Sequence, residues 1–439
     1  MRRVSFDLGP PWILALGYLT TIVIGGLLLW LPVAHDGDLS GLDAFFTATS
    51  ATTVTGLVVV DTGTTFTTFG ETVLMVLMQV GGLGLMTFAV LTALVLGRKV
   101  GLRQRLVFGE AMSSMPMGSV VRLVRTLLVF TVAVELLGTL LLATVWVPER
   151  GLGEGLYLSA FHSISSFNNA GFGLLSDNLI GYAGSPMVNV AITALFITGG
   201  IGFTVIEDLR RTRRFHDLAL HTKLMLVGTL IVNVIAMIAI LLLEYGNPNT
   251  IGNMNFGDKL WASWFQAVTP RTAGFNTLDT AAMTDSSLLL TILLMFIGAG
   301  SASTGSGIKL STFIVIVLAV VSFVRGREET HVFERQIKHS VILRALAITA
   351  VSAMLVFTAM FALTVTEDAE FLALAFEATS AFGTVGLSVG TTPDLSTPGR
   401  LIIMVLMFIG RIGPLTLAFV LATRTRPRIS YPNGEVLTG

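Results

Sequence analysis

Long apolar runs alternate with short polar segments along the whole chain. Eight runs have at least the roughly 20 residues that span the hydrocarbon core of a bilayer. They lie near residues 11–32, 70–97, 126–147, 186–206, 222–243, 286–324, 341–365 and 399–422. The first run is too long for the apolar region of a signal peptide, so we expect it to be retained. The pattern predicts an all-α protein with eight membrane spans.

A shorter stretch of moderate hydrophobicity lies between the two spans of each consecutive pair. Each has about 10 to 13 residues, too few to cross a bilayer but enough for a re-entrant helix. Each begins at or just after a carboxylate, which stabilises the positive end of a helix. The predicted half-helices cover residues 42–52, 155–167, 259–268 and 371–382. We therefore expect four pseudo-repeats of span, half-helix, loop and span, over residues 11–97, 125–208, 221–325 and 340–423.

Each half-helix is followed by a tetrad of small or polar residues that ends in a glycine. The tetrads read Thr-Val-Thr-Gly at 53–56, Asn-Asn-Ala-Gly at 168–171, Arg-Thr-Ala-Gly at 271–274 and Gly-Thr-Val-Gly at 383–386. The residue ten positions before each glycine is aromatic: Phe46, Phe161, Trp264 and Phe376. Non-helical backbone inside a bilayer must face protein or a water-filled cavity, so we expect the four tetrads to share one interior.

This shared interior predicts a cation pore. Glycine adopts backbone angles closed to other residues, which lets successive carbonyl oxygens face one axis. Rings of carbonyl oxygens can replace the water around a monovalent cation, and the negative ends of four half-helices add a favourable field. The candidate cation-binding residues are Val54, Thr55, Gly56, Asn169, Ala170, Gly171, Thr272, Ala273, Gly274, Thr384, Val385 and Gly386.

The sixth run is nearly twice as long as a span and contains ten consecutive small residues at 298–307. Each glycine in it costs a helix roughly 1 kcal/mol relative to alanine, so we expect the backbone to unwind over 298–309. An unwound loop behind the third tetrad would obstruct the pore and act as a gate. The alternative is that the small residues allow close helix packing. The candidate gate residues are Gly298, Gly300, Ser301, Ser303, Thr304, Gly305, Gly307, Lys309 and Arg411.

Two arginines lie at membrane depth, where a charge is costly and requires a partner. Arg271 belongs to the third tetrad, and a guanidinium facing the axis would repel cations. We expect its side chain to turn away from the axis and to pair with an acidic group. For Arg411 two interpretations stay open. It either lies near the pore and restrains the gate, or it pairs with a carboxylate such as Glu135 or with a carbonyl at a helix break.

Composition and charge support the membrane assignment and give an orientation. Hydrophobic residues make up 53% of the 439 residues and charged residues 12%, with a mean hydropathy of +0.80. Of the 27 Lys and Arg residues, 21 lie in five segments that share one side of the membrane if the spans alternate. The positive-inside rule makes that side cytoplasmic, so both termini are expected there. The net charge of zero gives no argument for a nucleic-acid partner, and the absence of cysteine excludes disulfides.

The sequence resembles the membrane subunit of the bacterial Ktr/Trk potassium-uptake systems. The resemblance covers residues 11–423 and rests on the four tetrads, the run 298–307 and Gly-Arg-Ile-Gly-Pro at 410–414. Eight spans and this length are similar to the shorter Ktr type. Only the first and fourth tetrads keep the Thr-Val pair of potassium channels, so strict selectivity for potassium over sodium stays open.

The resemblance implies a multi-pass protein of the bacterial cytoplasmic membrane with a potassium filter and an intramembrane gate. It also implies a homodimer bound to a cytosolic ring of regulatory subunits, with the nucleotide on the ring and no cofactor in this chain other than the ion. The basic segments 98–125 and 325–344 are candidate contacts for the ring or for membrane lipid headgroups.

Other functions are considered beside the pore. A Trk-type symporter would couple potassium to sodium or protons. An alternating-access carrier would have inverted repeats with paired broken helices, whereas here we expect one orientation and a break in the third repeat only. Gly-Leu-Ser-Val-Gly at 386–390 matches a hydrolase nucleophile elbow, but no histidine follows Ser388, and His162 is expected to pack within its half-helix. We therefore expect no enzyme, while a non-conducting scaffold would differ from the pore by showing no ion flux.

Overall fold

The computed structural model describes residues 10–95, 117–327 and 329–413. Its α-helices are α1 (Pro10–Leu29), α2 (Gly41–Thr52), α3 (Thr62–Thr65), α4 (Thr68–Val95), α5 (Met117–Arg150), α6 (Leu152–Phe167), α7 (Pro186–Gly200), α8 (Phe203–Arg211), α9 (Leu220–Glu244), α10 (Phe256–Val268), α11 (Asp285–Phe296), α12 (Leu310–Val324), α13 (His339–Thr366), α14 (Phe371–Gly383) and α15 (Thr397–Ile412). Strands β1 (His331–Val332) and β2 (Arg335–Gln336) pair antiparallel. Most of the basic segment 98–125, the residues after 413 and both termini lie outside the described residues.

The four predicted half-helices are confirmed as α2, α6, α10 and α14. They are 12 to 16 residues long; α2, α6 and α14 end at their tetrads, and α10 ends at Val268, shortly before Arg271. Side-chain caps fix two of their starts, since Ser40 Oγ accepts a hydrogen bond from Asp43 N at 3.1 Å and Asn255 Oδ1 accepts one from Asp258 N at 2.9 Å. Glu370 is the N-cap residue of α14. Such caps satisfy backbone donors that a helix start leaves unpaired.

Three helices in the described ranges are long and apolar enough to cross a membrane without a break: Arg125–Arg150, Leu220–Glu244 and His339–Thr366. The bent pair of α7 and α8 makes a fourth if it counts as one span. The first, second and sixth predicted spans occur as shorter apolar helices: Ala15–Leu29, Thr68–Gly84, and the pair Asp285–Phe296 and Leu310–Val324. Large apolar side chains such as Leu242 and Phe357 are about 70% exposed on these helices, as expected where lipid is the solvent.

The second span is interrupted in the first and second repeats as well as in the third, so our expectation of a single break in the third repeat is wrong. α4 contains Gly84 with a φ of 68°, α7 and α8 meet at 93° beside Gly202, and α15 ends at Gly413 with a φ of 92°. In the third repeat the non-helical residues 297–309 separate α11 from α12, where unwinding was predicted, and we call them the intramembrane loop after their predicted depth. A positive φ lies outside the right-handed helical region, and glycine adopts it without a steric penalty.

A shared sequence motif lies where α4 and the α7–α8 pair are interrupted and where α15 ends. It reads Gly-Gly-Leu-Gly at 81–84, Gly-Gly-Ile-Gly at 199–202 and Gly-Arg-Ile-Gly at 410–413. A Cβ on its first glycine would collide with a carbonyl at the end of the half-helix of the same repeat: Thr52 O for Gly81, Phe167 O for Gly199 and Phe382 O for Gly410. The first glycine thus permits close approach to the half-helix, and the last one interrupts the span at that depth.

Aromatic residues anchor the half-helices in the protein core. Phe46, Phe161 and Phe376 are completely buried, and Trp264 Nε1 donates a hydrogen bond to Thr193 Oγ1 at 3.4 Å. The apolar residue after each tetrad is buried as well: Leu57, Phe172, Phe275 and Leu387. Close packing before and after each tetrad restricts the position of its backbone.

Candidate functional site

The four tetrad glycines lie side by side in a closed ring. A Cβ on any of them would collide with the backbone of the next tetrad. The pairs are Gly56 with Ala170 O at 2.6 Å, Gly171 with Gly274 Cα at 2.9 Å, Gly274 with Val385 O, and Gly386 with Thr55 O. The contacts run through the tetrads in sequence order and return from the fourth to the first. The backbones are therefore too close for any residue other than glycine at these positions.

One carbonyl oxygen from each tetrad lies in this ring. These oxygens belong to the residues that precede the glycines: Thr55, Ala170, Ala273 and Val385. Each lies against the glycine of a neighbouring tetrad. The structure thus brings together the backbones of the four tetrads that the sequence predicts to bind a cation, with carbonyl oxygens among the groups in contact.

All four tetrads share one backbone conformation. The glycines have φ between 71° and 94°, and the residues two positions earlier also have positive φ: Val54 at 50°, Asn169 at 58°, Thr272 at 73° and Thr384 at 48°. Positive φ is rare for β-branched residues and costs of order 1–3 kcal/mol where it occurs. Sequence analysis did not predict this strain, because valine and threonine give no local signal for it.

Backbone N–H groups of the tetrads point back to the half-helices. Thr55 N donates to Ser50 O at 2.8 Å, and Val385 N donates to Ser380 O at 2.9 Å. Ser50 Oγ accepts from Gly56 N at 3.0 Å, and Ser380 Oγ accepts from Gly386 N at 3.1 Å. Because these N–H groups are hydrogen-bonded to the half-helices, the carbonyl oxygens are the polar groups that remain in the ring. Ser50 and Ser380 were missed, although the shared spacing of six residues before the glycine was a detectable signal.

A cavity of about 480 Å³ lies on one side of the ring, and all four glycines line it. Asp61 and Asp177 also line this cavity. Both carboxylates belong to the segments that follow a tetrad, on the side predicted to be extracellular. The cavity, called the acidic vestibule below, therefore has two carboxylates in its wall, and carboxylates attract cations.

The intramembrane loop contacts the second, third and fourth tetrads. Thr304 Oγ1 donates to Asn169 Oδ1 at 2.9 Å, and Asn169 Nδ2 donates to Thr272 Oγ1 at 3.1 Å. A Cβ on Gly305 would collide with Thr272 Oγ1, and one on Gly307 would lie 3.6 Å from the Cα of Gly383, the first residue of the fourth tetrad. Three of the predicted gate residues, Thr304, Gly305 and Gly307, therefore lie against the tetrads.

Backbone hydrogen bonds attach this loop to the end of α7. Gly300 N donates to Gly200 O at 2.8 Å, and Thr304 N donates to Gly199 O at 3.2 Å. Within the loop, Ser303 Oγ donates to Gly300 O at 2.7 Å and Lys309 Nζ donates to Gly305 O at 2.7 Å. Gly298 packs against Gly307, and Ser301 Oγ lies 3.0 Å from Ser311 Oγ. The loop is thus a compact, hydrogen-bonded structure.

Arg411 joins the loop to the first repeat. Its guanidinium donates to Thr304 O and, at 3.1 Å, to Ser306 Oγ of the loop. It also donates to Gly81 O beside the interruption of α4 and, at 3.0 Å, to Tyr18 Oη. Two interpretations of Arg411 were open. The structure shows its guanidinium bonded to a carbonyl at a helix break, Gly81 O, and the same guanidinium also contacts the loop. Glu135 is not a partner and instead accepts from Asn168 Nδ2 at 3.2 Å.

The expected ion pair of Arg271 is not formed, which corrects the sequence prediction. Within the described ranges no acidic group forms a salt bridge with it, and its buried Nε has no hydrogen-bond partner. The side chain is 7% exposed and lines a small cavity with Phe196 of α7 and Thr229 of α9. A residue pattern reveals a charge but not its distance from the nearest carboxylate, which explains the error.

The expected packing of His162 is observed. Its ring lies between Trp146, with centroids 4.8 Å apart, and Phe275, with centroids 6.0 Å apart. Nδ1 lies 2.9 Å from Leu158 O of the same half-helix. In the described part of the chain no group of three or more His, Cys, Asp or Glu residues is arranged to hold a metal ion.

Known proteins are similar to this chain over almost its whole length. Residues 17–427 match the family described as TrkH, cation transport protein. The chain is 56% identical over 430 residues to Ktr system potassium uptake protein B of Bacillus subtilis, covering 98% of this chain and 97% of that protein. It is 45% identical to the protein of the same name from Vibrio alginolyticus, covering 98% and 95%. It is 36% identical to potassium/sodium uptake protein NtpJ of Enterococcus hirae, covering 100% and 99%.

The fold is also similar to a solved structure. The crystal structure of the potassium transporter TrkH from Vibrio parahaemolyticus superposes with a TM-score of 0.76, at 20% sequence identity. The match covers 96% of this chain and 87% of that one.

Proposed function

The chain belongs to the TrkH family of cation transport proteins, and we propose that it carries potassium across the bacterial cytoplasmic membrane through a pore at the centre of the four tetrads. The observation that supports this most is the closed ring of glycines with one backbone carbonyl from each tetrad. Such carbonyls are the groups that replace water around potassium in selectivity filters. Relatives named as potassium uptake proteins support the choice of ion.

A potassium ion enters through the acidic vestibule, where Asp61 and Asp177 raise the local cation concentration. At the ring it exchanges water for backbone oxygens. The carbonyl ends of the four half-helices carry partial negative charge and compensate the loss of hydration. The binding residues are those of the tetrads, and their side chains hold the backbone in place.

The intramembrane loop is the gate, with residues 298–309 and Arg411 as its parts. It lies against three tetrads, and its bonds to Arg411 hold it there at rest. Conduction requires the loop to move away from the ring. The glycines of the loop allow that change of backbone angles without steric strain.

Regulation comes from a cytosolic nucleotide-binding ring that contacts a dimer of this chain. Two relatives are named as proteins of a Ktr system, which supports an arrangement with a further subunit. The basic segments 98–125 and 325–344 are the proposed contact surfaces, together with lipid headgroups. The nucleotide binds the ring, so this chain itself needs the ion alone.

Cation symport is the second candidate. A relative named as a potassium/sodium uptake protein favours it, because this chain covers that protein almost completely. An alternating-access carrier is less well supported. The interruptions in the first three repeats remove one argument against it, but the closed ring of four tetrads argues for a pore.

Rubidium uptake into vesicles that contain the purified chain tests the pore. Gly386→Ala drives a Cβ into Thr55 O and should reduce uptake strongly. Gly390→Ala is the matched control, since Gly390 has a similar φ of 91° but a Cβ there meets no atom within 4 Å. Equal uptake by the two variants would refute the ring as the ion path. Absence of uptake by the unmodified chain with any partner or nucleotide would refute transport altogether.

A further inference from the structure

A buried carboxylate lies behind the fourth tetrad. Glu377 is nine residues before Gly386, on α14, and is completely buried. None of the ion pairs among the described residues includes it. A buried carboxylate without a cation is tolerated only when hydrogen bonds satisfy its oxygens.

The donors all come from the segment that leaves the fourth tetrad. Ser388 Oγ donates to Glu377 Oε1 at 2.5 Å, and Val389 N donates to the same oxygen at 3.2 Å. Thr392 Oγ1 donates to Oε2 at 2.5 Å. Ser388 Oγ in turn accepts from Gly390 N at 3.0 Å. The carboxylate therefore links residues 388–392 to the half-helix. The serine of the Gly-x-Ser-x-Gly pattern, Ser388, makes its hydrogen bonds within this network.

No other repeat has this attachment. The residue nine positions before the tetrad glycine is Thr47 in the first repeat, His162 in the second and Phe265 in the third. Thr47 Oγ1 is buried without a hydrogen-bond partner, and the His162 ring bonds to Leu158 O of its own half-helix. Among the described residues, the fourth repeat alone thus has a half-helix carboxylate bonded to the segment that leaves its tetrad, whereas Glu135 of α5 contacts the second tetrad at its first residue, Asn168.

The tied segment continues directly from the ring. Leu387 and Ser388 line the vestibule together with Gly386, and Val385 O lies against Gly274 of the third tetrad. Any movement of residues 388–392 is therefore transmitted to the ring within two peptide units. A ring whose fourth side is loose can contract around sodium, which is smaller than potassium, and so discriminates less between the two ions.

We propose that Glu377 is a positioning residue that sets the cation preference of the ring through Ser388, Val389 and Thr392. It does not touch the ion. The proposal rests on the proposed pore and adds to it a residue that no tetrad contains.

Sodium competition against rubidium uptake measures this preference in vesicles with the purified full chain. Glu377→Leu removes every acceptor, and we expect preference for rubidium over sodium to fall about ten-fold, equivalent to about 1.4 kcal/mol. Glu377→Gln retains an acceptor for Ser388 and Val389, and the Thr392 hydroxyl can accept from its amide, so it should stay within about two-fold of the unmodified chain. Thr47→Val, at the equivalent position of the first repeat, should leave the preference unchanged.

Ser388→Ala tests the same contact without altering the buried carboxylate's own position, and should lower the preference about three-fold. A Glu377→Leu chain with reduced flux but unchanged preference, together with unchanged preference in Ser388→Ala, would overturn the proposal and leave Glu377 a structural residue. A loss in Glu377→Gln as large as in Glu377→Leu would also overturn it. Failure of the unmodified chain to take up rubidium would instead refute the proposed pore.

Discussion

Replacement of Arg411 by glutamine should raise ion flux in the resting protein. The guanidinium donates to Thr304 O and Ser306 Oγ of the intramembrane loop, and on its other side to Gly81 O and Tyr18 Oη. Glutamine is shorter and has one amide group, so it cannot bond to both sides. The substitution therefore detaches the loop from the first repeat and leaves the loop's own hydrogen bonds unchanged.

The magnitude follows from the number of bonds that hold the loop. A hydrogen bond with a charged donor contributes about 1.5–3 kcal/mol. Arg411 makes two such bonds to the loop, and its side chain is only partly buried, so we take about 1.5–3 kcal/mol for the pair together. Since about 1.4 kcal/mol corresponds to a factor of ten in an equilibrium, the displaced loop should become roughly ten-fold to a hundred-fold more populated.

Rubidium uptake into vesicles without any partner protein measures the resting flux. Arg400→Gln is the matched control, because Arg400 lies on the same helix α15 but at its outer end, paired with Asp43. We expect Arg411→Gln to raise initial uptake at least ten-fold and Arg400→Gln to leave it unchanged. Equal or lower uptake by Arg411→Gln, with a thermal unfolding midpoint like that of the unmodified chain, would refute the reasoning.

Three further outcomes are expected. Gly274→Ser places a Cβ against Val385 O and should lower the preference for potassium over sodium in competition assays, and an unchanged preference would argue against carbonyl coordination at the third tetrad. Shortening the run 298–307 should raise resting rubidium flux, whereas lower or equal flux would show that the loop is not the gate. Gly199→Ala drives a Cβ into Phe167 O and should destabilise the protein by about 1–3 kcal/mol in thermal unfolding. Gly153→Ala, where a Cβ meets no atom within 4 Å, should unfold at the normal temperature.

Sequence reasoning predicted the features that depend on local pattern. The half-helices follow from stretch length and from acidic residues such as Asp43 and Asp258 near their starts, and the structure has them within three residues of the predicted bounds. The unwound loop follows from the density of glycine between 298 and 307. Glycine and small residues carry a helix penalty wherever they cluster, so no tertiary information was needed.

The interruptions in the other second spans could not be predicted in the same way. Glycine is frequent in membrane helices, and a hydropathy scan does not separate a packing glycine from one that adopts positive φ. Gly84 and Gly202 are recognisable only because a Cβ on the preceding Gly81 or Gly199 would meet a half-helix carbonyl, which is a tertiary contact. The partners of Arg411 were equally hidden, since backbone carbonyls have no sequence signature.

The two attachments of the intramembrane loop differ in kind, and this predicts how the loop moves. Towards the second repeat it is held by backbone bonds, from Gly300 N to Gly200 O and from Thr304 N to Gly199 O, beside the one side-chain bond from Thr304 to Asn169. Towards the fourth and first repeats it is held by the side chain of Arg411. Arg411 occupies the motif position that Gly82 and Gly200 occupy in the first and second repeats.

A side chain can release its acceptors by a change of rotamer, whereas backbone bonds at the end of α7 break only if the helix end moves. We therefore expect the bonds between the loop and Arg411 to break first, while the bonds between the loop and the end of α7 stay formed and act as the hinge. A disulfide between Gly200→Cys and Ala299→Cys, whose Cβ atoms would lie 3.6 Å apart, should leave opening intact. A reducible bifunctional thiol reagent that joins Ser306→Cys to Arg411→Cys, a pair whose native contact runs through the long guanidinium side chain, should abolish flux until the link is reduced. Blocked flux in the first double variant, with normal flux in the second, would place the hinge on the opposite side.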